Sequence, residues 1–273
     1  MTRTPSTVLQ VCLNGPREPG DSAAVPTSPE SLAASAAAAV AAGAGEVRVH
    51  PRTPCGRPSL SPRVLAPVLT SLRAALHHPT GAPSGTAPSP PVRVTTALSA
   101  EPDAERRAER VHSWTALPDL VSVDWHEPGA ERIAAALLDR GIDVEAALWP
   151  DTDGPALFAR SPLAHRVVRI LARARGPAAD SGPAADSGPA ANSGPAAAEA
   201  VALALALLTE IGGRRPPGVP VLLHGVEGGA WPVLRLARRL GLVARIGLED
   251  TLLLPNGARA RSNAELVAAA VRY

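Results

Sequence analysis

The residues best suited to chemistry in this chain are a histidine and two adjacent carboxylates: His50, Glu249 and Asp250. Imidazole and carboxylate groups act as general acids and bases, and both are common metal ligands. His50 lies near the end of a predicted strand at residues 46–52, and the two carboxylates end another at residues 244–250. Because parallel strands point the same way, we expect these strand ends to meet at one site.

Strand alternation adds further polar residues to this site. Successive residues of a strand face opposite sides, so the polar positions of each predicted strand fall opposite its aliphatic residues. The positions that join the polar face are Arg48, Ser122, Asp124, Glu145 and Arg245. Buried charges are costly unless they are paired or bind a ligand, so this set predicts an active site. The alternative is a set of structural ion pairs between the two arginines and the carboxylates.

Short strand patterns that alternate with helical patterns must position these residues. The predicted strands are residues 8–14, 46–52, 92–98, 121–125, 143–149, 167–171, 219–225 and 244–250. The predicted helices lie near 29–42, 62–76, 104–116, 129–140, 152–160, 196–211, 229–240 and 263–272. Such alternation gives βαβ units and a parallel sheet, and about eight units indicate a closed barrel. We therefore predict a single (β/α)8 TIM-barrel domain over residues 1–273. An open doubly wound sheet is the alternative, although no glycine-rich phosphate loop follows the first strand.

Residues 176–197 consist of a six-residue repeat, GPAADS and its variants, and are predicted to form a flexible low-complexity insertion. The Pro- and Ser-rich residues 78–91 are likewise predicted to be a flexible segment. Two helix starts carry capping-box patterns, at Thr27 with Glu30 and at Ser262 with Glu265.

Charge and composition argue against several function classes. The chain has 27 basic and 25 acidic residues, and its net charge of +2 is too small to favour nucleic acid or an anionic membrane as a partner. The Ala-rich stretches 33–42 and 198–208 are shorter than the ~20 residues that a bilayer requires. The first residues show no secretory signal pattern. Cys12 and Cys55 form neither a disulfide framework nor a paired metal spacing, so a soluble cytoplasmic protein is expected.

Three long segments carry a family resemblance. They are LNGPRE at residues 13–18, VPTSPESLAASAAAAVAAGAGEVRVHPRTPCGRPSL at residues 25–60 and RIGLEDTLLLPNGARARSNAELV at residues 245–267. Shorter similar segments are VTTA at 94–97, VEAALW at 144–149 and LLHG at 222–225. Together they resemble the β-keto acid cleavage enzymes, a group that includes the 3-keto-5-aminohexanoate cleavage enzyme of lysine fermentation. The GLED segment followed by SNAELV is the most specific part.

The resemblance implies a TIM barrel that uses a divalent metal, usually zinc. Such enzymes exchange a β-keto acid with acetyl-CoA by a retro-Claisen reaction, giving acetoacetate and a new acyl-CoA. The family binds its metal through two histidines of an H-x-H-x-R motif on the second strand and through the Glu of GLED. The matching positions here are Arg48, His50 and Glu249. The resemblance also suggests a homo-oligomer.

The resemblance further implies roles for residues around that metal. Asp250 would be the base that activates the β-keto acid, and Arg245 would orient the carboxylates, although these two could also form only a structural pair. The positions that match substrate-binding residues of the family are Arg17, Arg48, Thr95, Asp124 and Glu145. Among them, Asp124 stands where the family commonly has Asn, which exchanges an amide donor for an acceptor.

Arg48 departs from the family pattern, because a guanidinium stays protonated and has no free lone pair for a metal. Three interpretations are open. His224 or His126 could supply the missing ligand; Arg48 could replace part of the metal's charge and bind the substrate carboxylate or keto oxygen; or catalysis could be lost. We predict β-keto acid cleavage. A catalytically altered or inactive barrel that binds a small anion is the alternative, and a different lyase or aldolase is a third hypothesis.

Overall fold

The barrel predicted from the sequence is present in the structure. A computed structural model describes residues 8–77, 92–101, 103–174 and 195–273, in which eight parallel strands close into one barrel in chain order. A helix follows each strand and covers the outside of the barrel. The architecture is therefore a (β/α)8 TIM barrel, as expected, and the open doubly wound sheet is excluded.

The strands are β1 (Leu9–Cys12), β2 (Glu46–Arg48), β3 (Arg93–Ala97), β4 (Leu120–Asp124), β5 (Asp143–Leu148), β6 (Arg169–Ala174), β7 (Val221–Gly225) and β8 (Val243–Ile246). The helices are α1 (Pro29–Ala41), α2 (Pro62–His77), α3 (Ala104–Ser113), α4 (Ala130–Asp139), α5 (Gly154–Arg160), α6 (Pro195–Gly212), α7 (Ala230–Arg239) and α8 (Asn263–Arg272). Short 3-10 turns occur at Ala164–Arg166 and Glu227–Gly229.

The strand register places polar residues from all eight strands on the inside of the barrel. Arg48 of β2 is paired with Cys12 of β1 and with Thr95 of β3, and the same parity reaches Arg245 of β8, which is paired with Gln10 of β1. The polar residues of this parity are Gln10, Glu46, Arg48, Arg93, Thr95, Ser122, Asp124, Asp143, Glu145, Arg169, Arg173, His224 and Arg245. Since neighbouring side chains of a strand alternate, the aliphatic residues face the helices.

Most of the apolar core therefore lies between the strands and the helices. Val47, Val121 and Ile246 are fully buried there with the apolar faces of the surrounding helices. Inside the barrel, Leu171 and Leu222 form only a small separate cluster. Most strand positions thus follow the prediction that aliphatic residues face the helical shell and polar residues face the barrel axis, and Leu171 and Leu222 are exceptions.

Of the two predicted helix caps, the cap of α8 is confirmed and the cap of α1 is not. The cap at Ser262 is confirmed, because its side chain accepts a hydrogen bond from the Glu265 N–H at 3.1 Å. At α1 the predicted cap is wrong by one residue: Ser28, not Thr27, accepts from the N–H of Ser31. A serine at this position satisfies an N–H that the first helical turn leaves unpaired.

Three strand ends differ from the predictions in ways that affect the site. β2 ends at Arg48 rather than at residue 52, so His50 lies in the segment that follows the strand. β6 runs to Ala174 rather than to residue 171, which places Arg173 on the inner face. β8 ends at Ile246, so the GLED carboxylates lie in the turn that follows and not in the strand. Gly247 makes this turn possible: its carbonyl accepts the N–H of Asp250 at 2.9 Å, and an added Cβ would lie 2.0 Å from the Cys12 carbonyl oxygen.

The two low-complexity predictions fall mostly on residues for which no structure is described. Residues 78–91 lie outside the described ranges, and so do residues 176–194 of the predicted insertion, while its last three residues begin α6. α6 is long and apolar enough to cross a membrane by length and composition alone, which is weak evidence because core helices of soluble proteins also meet this test. Here Ala200, Ala204 and Leu207 of α6 are buried in the barrel's outer core.

Candidate active site

Arg245 gathers the two carboxylates that follow β8. Its guanidinium donates to Glu249 Oε1 at 2.6 Å and to Asp250 Oδ1 at 2.8 Å, and all three side chains are buried. Burial raises the pKa of Asp250, but the Arg245 guanidinium outweighs this effect and holds the pKa below its ordinary value. Asp250 is therefore a buried carboxylate at neutral pH. The predicted association of Arg245 with both acidic residues is present in the structure.

Glu249 contacts the second strand through its other oxygen. His50 Nε2 lies 3.4 Å from Glu249 Oε2, and Arg48 Nε lies 3.8 Å from the same atom. Burial is the main cause that lowers the pKa of His50, although Glu249 opposes it, so the imidazole is neutral at neutral pH. Asn14 fixes the end of this strand, because its amide donates to the His50 carbonyl at 2.9 Å and accepts from the His50 N–H at 3.0 Å.

Glu145 lies deeper in the barrel, and both of its oxygens are engaged by protein groups. Oε1 accepts from the Ser122 hydroxyl at 2.5 Å and lies 3.6 Å from Arg48 NH1. Oε2 accepts from Arg169 Nε at 2.6 Å, and Arg169 also donates to Glu46 at 2.7 Å. Both oxygens of the fully buried Glu145 therefore have partners within the protein, and one of these partners is Arg48.

His224, at the end of β7, faces the other side of Asp250. Its Nδ1 lies 3.4 Å from Asp250 Oδ1, and the ring is 1% exposed. Burial lowers the pKa of His224 to about 4, and the nearby Arg245 adds to this effect. The imidazole is thus neutral and can support Asp250 without carrying a charge of its own.

This low pKa predicts a pH-dependent loss of stability. A histidine whose pKa is depressed by folding contributes stability above its unfolded pKa of about 6.5, and this contribution is lost as the pH falls through about 4. We expect the free energy of unfolding to fall less between these pH values in His224→Gln than in the wild type. Urea denaturation over the range measures this. His112→Gln, at an exposed helix position, should keep the wild-type pH dependence, and an unchanged slope in His224→Gln would contradict the assignment.

Asp124, at the end of β4, is engaged by a tryptophan and an arginine. Its Oδ1 accepts from Trp149 Nε1 at 2.6 Å and lies 4.0 Å from Arg173 NH1. The Arg173 guanidinium stacks 4.2 Å from the centre of the Trp149 ring, and burial lowers its pKa to about 10. Asp124 stands where the family commonly has Asn, and its carboxylate accepts a hydrogen bond from Trp149 and lies near the Arg173 guanidinium. His126, another candidate ligand, lies edge-on to Trp149 with ring centres 5.7 Å apart.

The remaining two predicted substrate-binding residues lie in different settings. Thr95 is fully buried next to Arg48 in the β2–β3 register, and its hydroxyl has no hydrogen-bond partner within the described part of the chain. Arg17 donates to the Leu248 carbonyl at 3.2 Å and to the Glu227 carboxylate. Glu227 thus balances the charge of Arg17, and the bond to the Leu248 carbonyl ties Arg17 to the turn that contains Glu249.

The donor set at this site does not fit a divalent metal. Two separate His–carboxylate pairs are present, His50 Nε2 with Glu249 Oε2 and His224 Nδ1 with Asp250 Oδ1, each 3.4 Å apart, and the Arg48 guanidinium lies beside the first pair. The geometry places His224 against Asp250 instead. Over residues 8–77, 92–101, 103–174 and 195–273, no group of three or more His, Cys, Asp or Glu side chains is arranged to hold a metal ion. Catalytic zinc usually has three protein ligands.

The sequence matches a known family over most of its length. The model of the beta-keto acid cleavage enzyme (BKACE) family matches residues 6–149 and 190–273. The chain belongs to this family. The match includes the second strand with His50 and the turn with Glu249 and Asp250, so the predicted resemblance is confirmed. No protein with a curated description matches the chain.

Solved structures with the same barrel include two of ObcA. The binary complex of ObcA with oxaloacetate has a TM-score of 0.63 at 16% identity, covering 92% of this chain and 63% of ObcA. The ternary complex with a C4-CoA adduct and oxalate has a TM-score of 0.65 at 17% identity, with the same coverage. This BKACE chain therefore spans less than two thirds of ObcA. Rubisco from Pyrococcus horikoshii OT3 follows, with a TM-score of 0.51, 16% identity and coverage of 97% of this chain and 60% of the other. At these identities the likeness shows the fold.

Several polar residues of this BKACE site were not predicted from the sequence. They are Asn14, Arg169 and Arg173. For the two arginines a signal exists, because Arg169, Leu171 and Arg173 alternate at strand spacing. Asn14 carries no sequence signal that separates it from a loop residue, since only the fold brings it to His50.

Proposed function

We propose that this chain cleaves a β-keto acid by retro-Claisen exchange with acetyl-CoA, giving acetoacetate and a new acyl-CoA. The observation that supports this most is Asp250, a buried carboxylate kept ionised by Arg245 at the end of the barrel where such sites lie. The BKACE family is enzymatic, and ObcA, which shares the fold, is described in complexes with oxaloacetate and with a CoA adduct. Oxaloacetate is itself a β-keto acid.

The chemistry requires one well-placed base. The methylene between the keto and carboxylate groups of the substrate is acidic, and Asp250 would take its proton. The resulting carbanion attacks the thioester carbonyl of acetyl-CoA, and the CoA thiolate leaves. Attack of that thiolate on the original keto carbon breaks the bond to the central carbon and forms the new acyl-CoA. Asp250 then returns the proton, which completes acetoacetate.

Buried donors that face the inside of the barrel would hold the anionic substrate. Arg48 Nε, Arg245 NH1 and the Thr95 hydroxyl are buried and have no hydrogen-bond partner among the residues that the structure describes. Donors of this kind stabilise an oxyanion strongly in a site from which water is excluded. A cytoplasmic location and a homo-oligomeric assembly remain part of this proposal.

A second candidate function is a catalytically altered barrel that binds a small anion without turnover. The observation that favours it is Arg48, which stands where the family has a metal-binding histidine. Such a protein would keep the buried donors and lose the exchange reaction.

Turnover and ligand binding together distinguish the two candidates. We expect purified protein, given acetyl-CoA and a panel of β-keto acids that includes oxaloacetate, to form acetoacetate and a new acyl-CoA, detected by mass spectrometry. Folded protein that converts no member of the panel, but is stabilised against heat by acetoacetate, would support the second candidate instead. Neither turnover nor stabilisation would contradict both.

A further inference from the structure

We infer that the guanidinium of Arg48 stands in for the metal of the family, so that this chain holds its anionic ligand without a divalent ion. The inference deepens the proposed function and rests on it only for the identity of the ligand. Arg48 occupies the first position of the H-x-H-x-R motif, beside the two ligand positions that the chain retains, His50 and Glu249.

The charge at this position opposes a metal ion. Arg48 Nε lies 3.8 Å from Glu249 Oε2, the atom that would have to bind the metal at about 2.0–2.2 Å. A divalent cation bound there would therefore lie close to a permanent positive charge with little water between them, because Arg48 is 1% exposed. Like charges repel more strongly at a buried site than in water. With His50 and Glu249 alone, the ion would also lack a third protein ligand.

The protein holds Arg48 firmly in this place. NH1 donates to the Ser122 hydroxyl on β4 and lies 3.6 Å from Glu145 Oε1 on β5, while Nε faces Glu249 after β8. Groups from three separate parts of the barrel thus fix one guanidinium. A side chain that merely fills the space left by a lost histidine would need no such support.

Arg48 also retains a donor for a ligand. Its Nε is buried and, in the described portion of the chain, has no hydrogen-bond acceptor. The same holds for Arg245 NH1 and the hydroxyl of Thr95, which is paired in register with Arg48. Buried donors are rarely left without an acceptor unless a ligand or water supplies one. A carboxylate or keto oxygen of a β-keto acid is the acceptor that a guanidinium binds well.

Metal analysis tests the inference without requiring turnover. Protein purified without chelator, incubated with zinc and dialysed should contain well under one equivalent of zinc by plasma mass spectrometry. Arg48→His restores the family's three ligands and should gain about one equivalent. The double variant Arg48→His/Glu249→Gln should lose it again. Arg239→His, at an exposed position of α7, controls for zinc bound by an added surface histidine.

A second measurement covers the case in which Arg48→His does not fold. Thermal stabilisation of the wild-type protein by acetoacetate should be unchanged by a chelator such as EDTA and lost in Arg48→Met, provided that this variant retains its circular dichroism. One equivalent of zinc in the wild-type protein, lost in Glu249→Gln, would overturn the inference whether or not the protein is active. Absence of turnover in metal-free protein that still binds acetoacetate would instead count against the proposed reaction only.

Discussion

Replacing Asp250 with asparagine is expected to reduce kcat/KM for the β-keto acid by about 10²–10⁴-fold, the usual contribution of a positioned general base. Asparagine has nearly the same shape, and Arg245 keeps its contact with Glu249 at 2.6 Å, so the fold should survive. The amide has no basic site for the substrate proton, so the loss should appear in kcat. Steady-state kinetics on the substrate identified by the panel, together with the melting temperature, measure the change.

The matched control for this prediction is Asp139→Asn, which makes the same chemical change at an exposed position of α4. It should leave both kcat and KM at wild-type values. Acetoacetate should still stabilise Asp250→Asn against heat, because its proposed donors, Arg48 and Thr95, are unchanged. Wild-type kcat in Asp250→Asn would show that another group removes the proton. Loss of acetoacetate binding together with activity would indicate that Asp250 shapes the pocket rather than acts as the base.

The polar inner face of the barrel was predictable because a strand has a simple period of two. This period places Arg48 with His50 and separates both from the aliphatic residues that cover the helical side. It does not explain the carboxylate pair, since Glu249 and Asp250 are adjacent and a strand would point them in opposite directions. The turn after β8 brings both to Arg245, and that turn depends on Gly247, whose lack of a side chain matters only because β1 lies directly against it. Such a contact between the first and last strands is invisible in the sequence.

Arg173 of β6 was missed for a different reason. The segment Ala172–Ala174 has no β-branched or aromatic residue, so its composition gives no strand signal beyond residue 171. Its neighbours β5 and β7 extend it by pairing, which is a tertiary effect. As a result, the contact of Arg173 with Asp124 could not be predicted. The contacts of Arg169 and Ser122 with the two Glu145 oxygens depend instead on the register of β4, β5 and β6. The sequence therefore indicates which residue types face the axis, while the register decides which of them remain available to a ligand.

Removing the Glu145 carboxylate is expected to destabilise the protein more than any surface change. Glu145→Ala should cost about 3–5 kcal/mol of unfolding free energy, because it removes one member of a buried ionic network and leaves Glu249, at 3.8 Å, as the remaining carboxylate beside Arg48. Arg169 keeps Glu46 but loses its contact at 2.6 Å with Glu145. Denaturant unfolding at about pH 7, monitored by circular dichroism, measures the cost.

The pH dependence distinguishes a charged network from simple loss of packing. Burial raises the pKa of Glu145, but Arg169 and then Arg48 more than reverse this, so the pKa lies below its ordinary value. A carboxyl group of this kind stabilises the fold above its unfolded pKa of about 4.3, and this contribution is lost as the pH falls through the folded value. The difference between wild type and Glu145→Ala should therefore shrink in acid. Glu109→Ala, exposed on α3, should change stability by no more than about 0.5 kcal/mol. A Glu145→Ala protein as stable as this control would mean that the network does not hold Arg48 in place, and the case for a fixed guanidinium at the family's metal position would fail with it.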